Sequence, residues 1–458
     1  MMMKLFAKNI LLATGWQQDK TLHIVDGVIK NITDGQDGDA YVAKGSVIPG
    51  MINCHSHAFQ RGFAGFSEQG SESQDSFWTW RKIMYQFLDN ITVEQAQIIA
   101  QQLYIEMLQA GYTRVAEFHY LHHDKDGGNH QQLAQMASAI FNAAKHSGIG
   151  LTMLPVMYRF SGFGPEQPNA GQKRFINSIA QFNQLVSDCH ALSTEQENSN
   201  VGIAPHSLRA VDKESLLAAV EHVRSLDAKA PIHIHISEQQ KEVDDCLEHY
   251  GKRPVQWLLE NANLDENWCL IHATHIDEDE IAGIIASKAV AGICPTTEAN
   301  LGDGIFPTTE FMAQGGKVAI GSDSHISVSA IEELRLLEYA QRLIKQQRAI
   351  LATSATLSVG QNLWQHTANA GALTTNSNTG ELAIGKQADL LVLDESKTRL
   401  FANDNKFLLD SVMFASQSNP IKDVMVNGHW VVSDYKHAEQ ETVADKFAKV
   451  LKQLADNK

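Results

Sequence analysis

Two histidines one residue apart, His55 and His57, follow the stretch Gly45-Ser-Val-Ile-Pro-Gly-Met-Ile-Asn53. In a strand, residues i and i+2 face the same way, so two imidazoles at this spacing can grip one ion. Two surface histidines could show the same spacing, so the pair needs company before it means a metal. Ile232-His-Ile-His-Ile236 supplies His233 and His235 on one face of an alternating run. His235 is nearer the strand end and is the expected ligand, while His233 reads as a hydrogen-bonded interior residue. Leu270-Ile-His-Ala-Thr-His275 offers His272 at a strand end and His275 in the loop beyond, and His272 is taken as the functional one. Lys317-Val-Ala-Ile-Gly-Ser-Asp-Ser-His325 carries an apolar run up to Asp323, a carboxylate that can bind a metal and accept a proton. Taken alone, Ser-Asp-Ser is an ordinary helix N-cap. With histidines at the ends of three other strands, the metal reading of Asp323 wins.

These residues need elements that bring them together. The middle of the chain alternates short apolar runs with helical patterns, as βα units with a parallel sheet do. Candidate strands end near His55, Phe118, Pro155, Pro205, His235, His272, Pro295 and Asp323, and eight is the number that closes a barrel. Between them, Thr92-Val-Glu-Gln95 resembles a capping box, Ile99, Leu103 and Met107 give a 4-spaced stripe, and Gly111 sits where a C-terminal cap belongs. Asp212-Lys-Glu-Ser215 opens a second helix of the same design. The polar stretch from Gln184 to Asn200 reads as an exposed helix plus loop. At the ends, Thr21–Val25 and Val28–Ile32 flank Asp26-Gly27, a hairpin signal, and the strand-like runs Gly385–Asp394 and Asp423–Val432 have the same texture, the latter with an Asn427-Gly428 turn. The expected fold class is therefore α/β: a (β/α)8 TIM-like barrel with a small β-sandwich built from both chain ends. The boundaries are 1–48 and 379–440 for the sandwich, 49–378 for the barrel and 441–458 for a C-terminal helix.

Composition narrows the partners. A net charge of -16 with no offsetting basic stripe disfavours nucleic acid or an anionic membrane. The five cysteines, Cys54, Cys189, Cys246, Cys269 and Cys294, are scattered and form no C-x-x-C pair, which speaks for a reducing compartment. Lys8 and Asn9 interrupt the apolar start, so it does not read as an export signal, and no apolar run has the length of a membrane span. The expectation is a soluble, cytoplasmic enzyme with a small-molecule substrate.

The order H-x-H, His, His, Asp on such a barrel resembles the amidohydrolase superfamily. Within it, Asn53-Cys-His-Ser-His-Ala-Phe-Gln-Arg-Gly62, Ser76-Phe-Trp-Thr-Trp-Arg-Lys-Ile-Met-Tyr85, Ala204-Pro-His-Ser-Leu-Arg-Ala210 and Cys294-Pro-Thr-Thr-Glu-Ala-Asn-Leu-Gly-Asp-Gly304 look like the branch that deiminates N-formimidoyl-L-glutamate in L-histidine degradation. The resemblance implies that His55, His57, His235 and Asp323 hold one divalent ion, zinc. Pro205-His206-Ser207 lacks the lysine that a carbamylated two-metal bridge needs, so the site is expected to be mononuclear. It further implies Asp323, His272 and Glu238 as the catalytic groups, with Glu238 contacting the imine nitrogen, and Gln60, Arg81, Tyr120, His206 and Arg209 as substrate contacts. The two arginines suit fork-like pairing with the substrate's carboxylates. Phe77, Trp78 and Trp80 are assigned to packing, and His119, His122 and His123 to a loop. Many ring-deaminating relatives carry Pro-x-Ser-Asn where this chain has Pro295-Thr-Thr-Glu298, which argues against purine or pyrimidine deamination, the alternative reading, and leaves the partner of Glu298 open. A homodimer is expected by resemblance.

Overall fold

The structure is a computed structural model that describes residues 2–66, 68, 81, 84–85, 87–397 and 405–456. The aromatic residues Phe77, Trp78 and Trp80 lie outside the described residues. In chain order the strands are β1 (Met2–Leu12), β2 (Gly15–Val25), β3 (Val28–Asp34), β4 (Tyr41–Val42), β5 (Val47–Pro49), β6 (Met51–Ser56), β7 (Tyr112–His119), β8 (Gly150–Met157) and β9 (Ser199–Val201). Then follow β10 (Ala204–Pro205), β11 (Ile232–Ile236), β12 (Trp268–His272), β13 (Val290–Ile293), β14 (Lys317–Ile320), β15 (Leu390–Leu393), β16 (Ile421–Val426), β17 (His429–Ser433) and β18 (Lys436–His437).

The two chain ends meet as expected. Among the described residues, β1 to β5 and β15 to β18 form one nine-stranded sheet, joined where β5 pairs antiparallel with β15. The pairing is one continuous hydrogen-bonded sheet. Both hairpin signals hold: Asp26-Gly27 turns β2 into β3 and Asn427-Gly428 turns β16 into β17, all four residues with positive φ. Asparagine, aspartate and glycine bear that conformation at the least cost.

The middle is parallel. Strands β6, β7, β8 and β10 pair in that order, with β9 also on β8, and β11, β12, β13 and β14 form a second parallel sheet. Isolated parallel bridges link the two sheets at both edges, Ile203 with Ile232 and Ser56 with Asp323. Every residue of β6, β7, β8, β11, β12 and β13 is buried, the pattern of parallel strands covered on both faces. Helices supply that cover. Val93–Gln109 starts on the expected Thr92–Gln95 capping box and buries Ile99, Leu103 and Met107. The helix Lys213–Leu226 is capped by Asp212, whose side chain accepts from the Ser215 N–H.

Three local expectations are corrected. The region around Gln184–Asn200 is not simply exposed: the helix Ile179–Thr194 buries Phe182, Leu185, Val186 and Cys189, and Asn200 belongs to β9. A polar sequence hid a narrow apolar stripe. His119 closes β7, and His122 and His123, though in a loop, are buried with Nε2 atoms on the carbonyls of Val156 and Ile176. Strand β14 ends at Ile320, three residues before Asp323, whose own backbone is left-handed.

Candidate active site

His55 and His57 point from the end of β6 as the strand period requires, and tertiary contacts complete the set. His55 Nε2 lies 3.0 Å from His235 Nε2 and 3.4 Å from Asp323 Oδ1, while His57 Nε2 is 3.4 Å from the same oxygen. His55, His57 and His235 offer ligand atoms all within 4.8 Å of one another, and so do His55, His272 and Asp323. The His57 Nδ1–H donates to the Phe118 carbonyl at 2.9 Å and the His235 Nδ1–H to that of His206 at 3.1 Å, which leaves each Nε2 lone pair facing the cluster. Outer hydrogen bonds of this kind fix tautomer and ring direction in metal sites.

Asp323 reaches this point through its backbone. Its N–H donates to the His55 carbonyl at 3.0 Å, and its own carbonyl accepts from the His57 N–H at 3.3 Å. Gly321 permits the approach, because a Cβ there would stand 2.7 Å from the His55 Cβ. Ser237, His272, Asp323 and His325 all have φ between 44° and 68° without being glycine. Such strain costs on the order of 1–3 kcal/mol per residue and gathers at sites where geometry outranks stability.

Burial sets the charges. It pulls His55 down to about 3 and lowers His57, and it takes His235 and His206 well below the ordinary histidine value. Burial also works against charge on Asp323, but His55, His57 and His272 outweigh it and hold that carboxyl below its usual range. Three neutral imidazoles and one ionised carboxylate are a fitting donor set for a divalent cation. His272 goes the other way. Burial lowers it, but Glu238, Glu298 and Asp323 surround it and carry it up to about 10. Its Nε2 is 3.8 Å from both Glu238 Oε1 and Asp323 Oδ2.

One pocket gathers the residues named from sequence. Gln60, Arg81, Tyr120, His206, Arg209 and Glu238 line it together with His57, His235, His272 and Asp323; only His55, fully buried behind them, does not. Tyr120 and Gln60 meet at 3.4 Å, and the Gln60 Oε1 is buried without a hydrogen-bond partner among the described residues. Arg81 donates to the hydroxyls of Tyr85 and Tyr158, each at 2.6 Å. Met84, Tyr85, Tyr158, Phe175 and Leu301 complete the wall and were missed from sequence. Tyr158 lies one residue beyond β8, a strand-end signal that was there to be used.

Two further residues support the cluster. Glu298 Oε1 accepts from the Cys294 N–H at 2.9 Å and lies 3.3 Å from His272 Nδ1, which answers what Glu298 contacts. Its carboxylate folds back over the first turn of Pro295–Leu301 onto the N–H of the N-cap residue. His325 Nε2 accepts from the His57 N–H at 3.2 Å, while its Nδ1 meets Ser322 Oγ at 3.0 Å. His233, as expected, is interior, with Nε2 on the Thr374 carbonyl at 2.7 Å.

Residues 46–431 match the model of the amidohydrolase family. A formimidoylglutamate deiminase of Pseudomonas aeruginosa is 46% identical over 457 residues, covering 99% of this chain and all of that protein. A 5-methylthioadenosine/S-adenosylhomocysteine deaminase of Shouchella clausii is 26% identical over 94% of both chains. Among solved structures, an amidohydrolase from Brucella melitensis superposes with a TM-score of 0.94 at 42% identity, over 99% of this chain and 100% of that one.

Proposed function

The chain belongs to the amidohydrolase family, and on that premise we propose that it hydrolyses N-formimidoyl-L-glutamate to N-formyl-L-glutamate and ammonia, a step of L-histidine degradation. The observation that carries the reading is the pocket in which Arg81 and Arg209 share walls with Glu238, His272 and the histidine–aspartate cluster. A dicarboxylate with an amidine end has the matching chemistry. The P. aeruginosa relative named for this activity supports it over nearly the whole chain.

His55, His57, His235 and Asp323 would hold one divalent ion, zinc by donor type. When bound, it supplies the Lewis acidity that lets water ionise near neutral pH. Asp323 takes the proton from the attacking water, and its Oδ2 faces His272, which orients that water and passes charge on. The water oxygen bonds to the formimidoyl carbon. Glu238, raised by burial toward its protonated form, delivers a proton to the departing nitrogen, a role worth about 10²–10⁴-fold. The C–N bond then breaks and ammonia leaves. Arg81 and Arg209 pair with the two carboxylates, and Gln60, Tyr120 and His206 position the chain between.

In the same reading, the two bridged parallel sheets are one (β/α)8 barrel over 49–378. The terminal sheet is a small β-sandwich of 1–48 and 379–440, and the helix at 441–458 closes the chain. The enzyme is read as a cytoplasmic homodimer. Among the described residues, no helix is long and apolar enough to cross a membrane.

The test is ammonia release measured on N-formimidoyl-L-glutamate, formimidoylaspartate, guanine and cytosine. Turnover of the first compound well above the others is expected. Turnover of a base with none of the first would replace this substrate with a ring amine.

A further inference from the structure

We infer that His272, Cys294 and Glu298 form a second divalent-cation site behind the catalytic histidine, and that filling it inhibits the enzyme. The three side chains offer a ring nitrogen, a thiol sulfur and a carboxylate oxygen, all within 4.8 Å of one another and all buried. Ligands around a tetrahedral zinc-sized ion stand roughly 3.3–3.8 Å apart, by the bond lengths such ions adopt. Closing the set therefore asks for shifts of about 1 Å or less. The Nδ1 edge of His272 already lies 3.3 Å from Glu298 Oε1, while its Nε2 edge faces Glu238 and Asp323. One imidazole thus presents its two nitrogens to two separate donor sets.

The charge closes as well. A thiolate and a carboxylate neutralise a dication, so the filled site adds no net charge to the interior. The thiol proton leaves to solvent as the ion binds. A separate groove of about 330 Å³ is lined by Ile293, Pro295, Glu298, Gly302, Ile305 and Leu343, so Glu298 is the member of the set that reaches it. The ligand class is a borderline-to-soft cation such as Zn²⁺ or Cd²⁺, because sulfur and imidazole reject Mg²⁺ and Ca²⁺. Filling the site pins His272 by Nδ1 and takes away Glu298, the group that aims it. The inhibitory consequence rests on the catalytic role proposed for His272, whereas the binding does not.

The experiment adds Cd²⁺ to enzyme already holding one equivalent of zinc and follows both the thiolate-to-cadmium ultraviolet band and ammonia release. The first donor set contains no sulfur, so cadmium exchanging there is silent in that band. We expect one further equivalent to bind with the band, activity to fall by about tenfold or more, and both effects to vanish in Cys294→Ser and Cys294→Ala with basal activity intact. In the unaltered chain, Cd²⁺ should also slow alkylation of Cys294 relative to Cys54 and Cys269. A band and an inhibition that persist in both Cys294 variants would overturn the site. So would a wild-type enzyme that binds no second equivalent, or unchanged alkylation of Cys294. Failure of the substrate assay would instead leave the cadmium band in place and count against the proposed substrate alone.

Discussion

His55 and His235 bring their Nε2 atoms to 3.0 Å across 180 residues of chain. Both are held uncharged by burial, and each belongs to the edge of a different parallel sheet. The His235 Nδ1–H is spent on the His206 carbonyl, so its Nε2 lone pair faces His55 and is available to a shared cation. His235→Ala should therefore empty the site, with metal content and turnover falling together. The loss should exceed the roughly 10–100-fold that follows removal of a ligand's outer partner. Elemental analysis beside kcat checks this, and a fully active variant without metal would remove the cluster from the mechanism.

Arg81 is oriented by Tyr85 and Tyr158 toward the pocket it lines. A charge-assisted hydrogen bond is worth about 1.5–3 kcal/mol, which is roughly 10–100-fold in binding. Arg81→Met and Arg209→Met should each raise KM for N-formimidoyl-L-glutamate by that factor. Unchanged KM in the Arg81 variant would show that it clamps no carboxylate.

Glu298 touches His272 and is absent from the pocket wall. Glu298→Gln keeps its size but weakens its hold on Nδ1. Its kcat should drop by about 10–100-fold with KM nearly unchanged. A rise in KM with kcat intact would assign Glu298 to substrate binding instead.

Glu242 supplies a pH signature. Burial pushes its carboxyl up to about 7; Oε2 accepts from the Glu238 N–H at 3.2 Å, and Oε1 has no hydrogen-bond partner among the described residues. Its folded value thus lies above the unfolded one, so its contribution is fully present below about 4.5 and is lost as pH rises through about 7. The full loss is on the order of 3 kcal/mol. Glu242→Gln, which cannot ionise, should gain Tm over the wild type progressively between pH 5 and pH 8. Parallel Tm curves across that range would mean the carboxyl titrates normally.

Local periodicity is what a chain writes into its own sequence. The two-residue spacing of His55 and His57, the Thr92–Gln95 cap and the Asp26-Gly27 and Asn427-Gly428 turns all depend on neighbours within a few residues. The sequence by itself therefore determined the elements, the histidine pairs at strand ends and, through motif resemblance, the residues that come to line the pocket. It could not determine that Glu298 meets His272, because the two come together only after β12 and β13 pair side by side. Nor did it disclose that Asp323 stands beyond its strand in left-handed backbone, pinned by hydrogen bonds to His55 and His57. Those facts depend on contacts across tens to hundreds of residues, whose closing entropy is met only by the packed whole. Tertiary structure decided how the cluster is aimed.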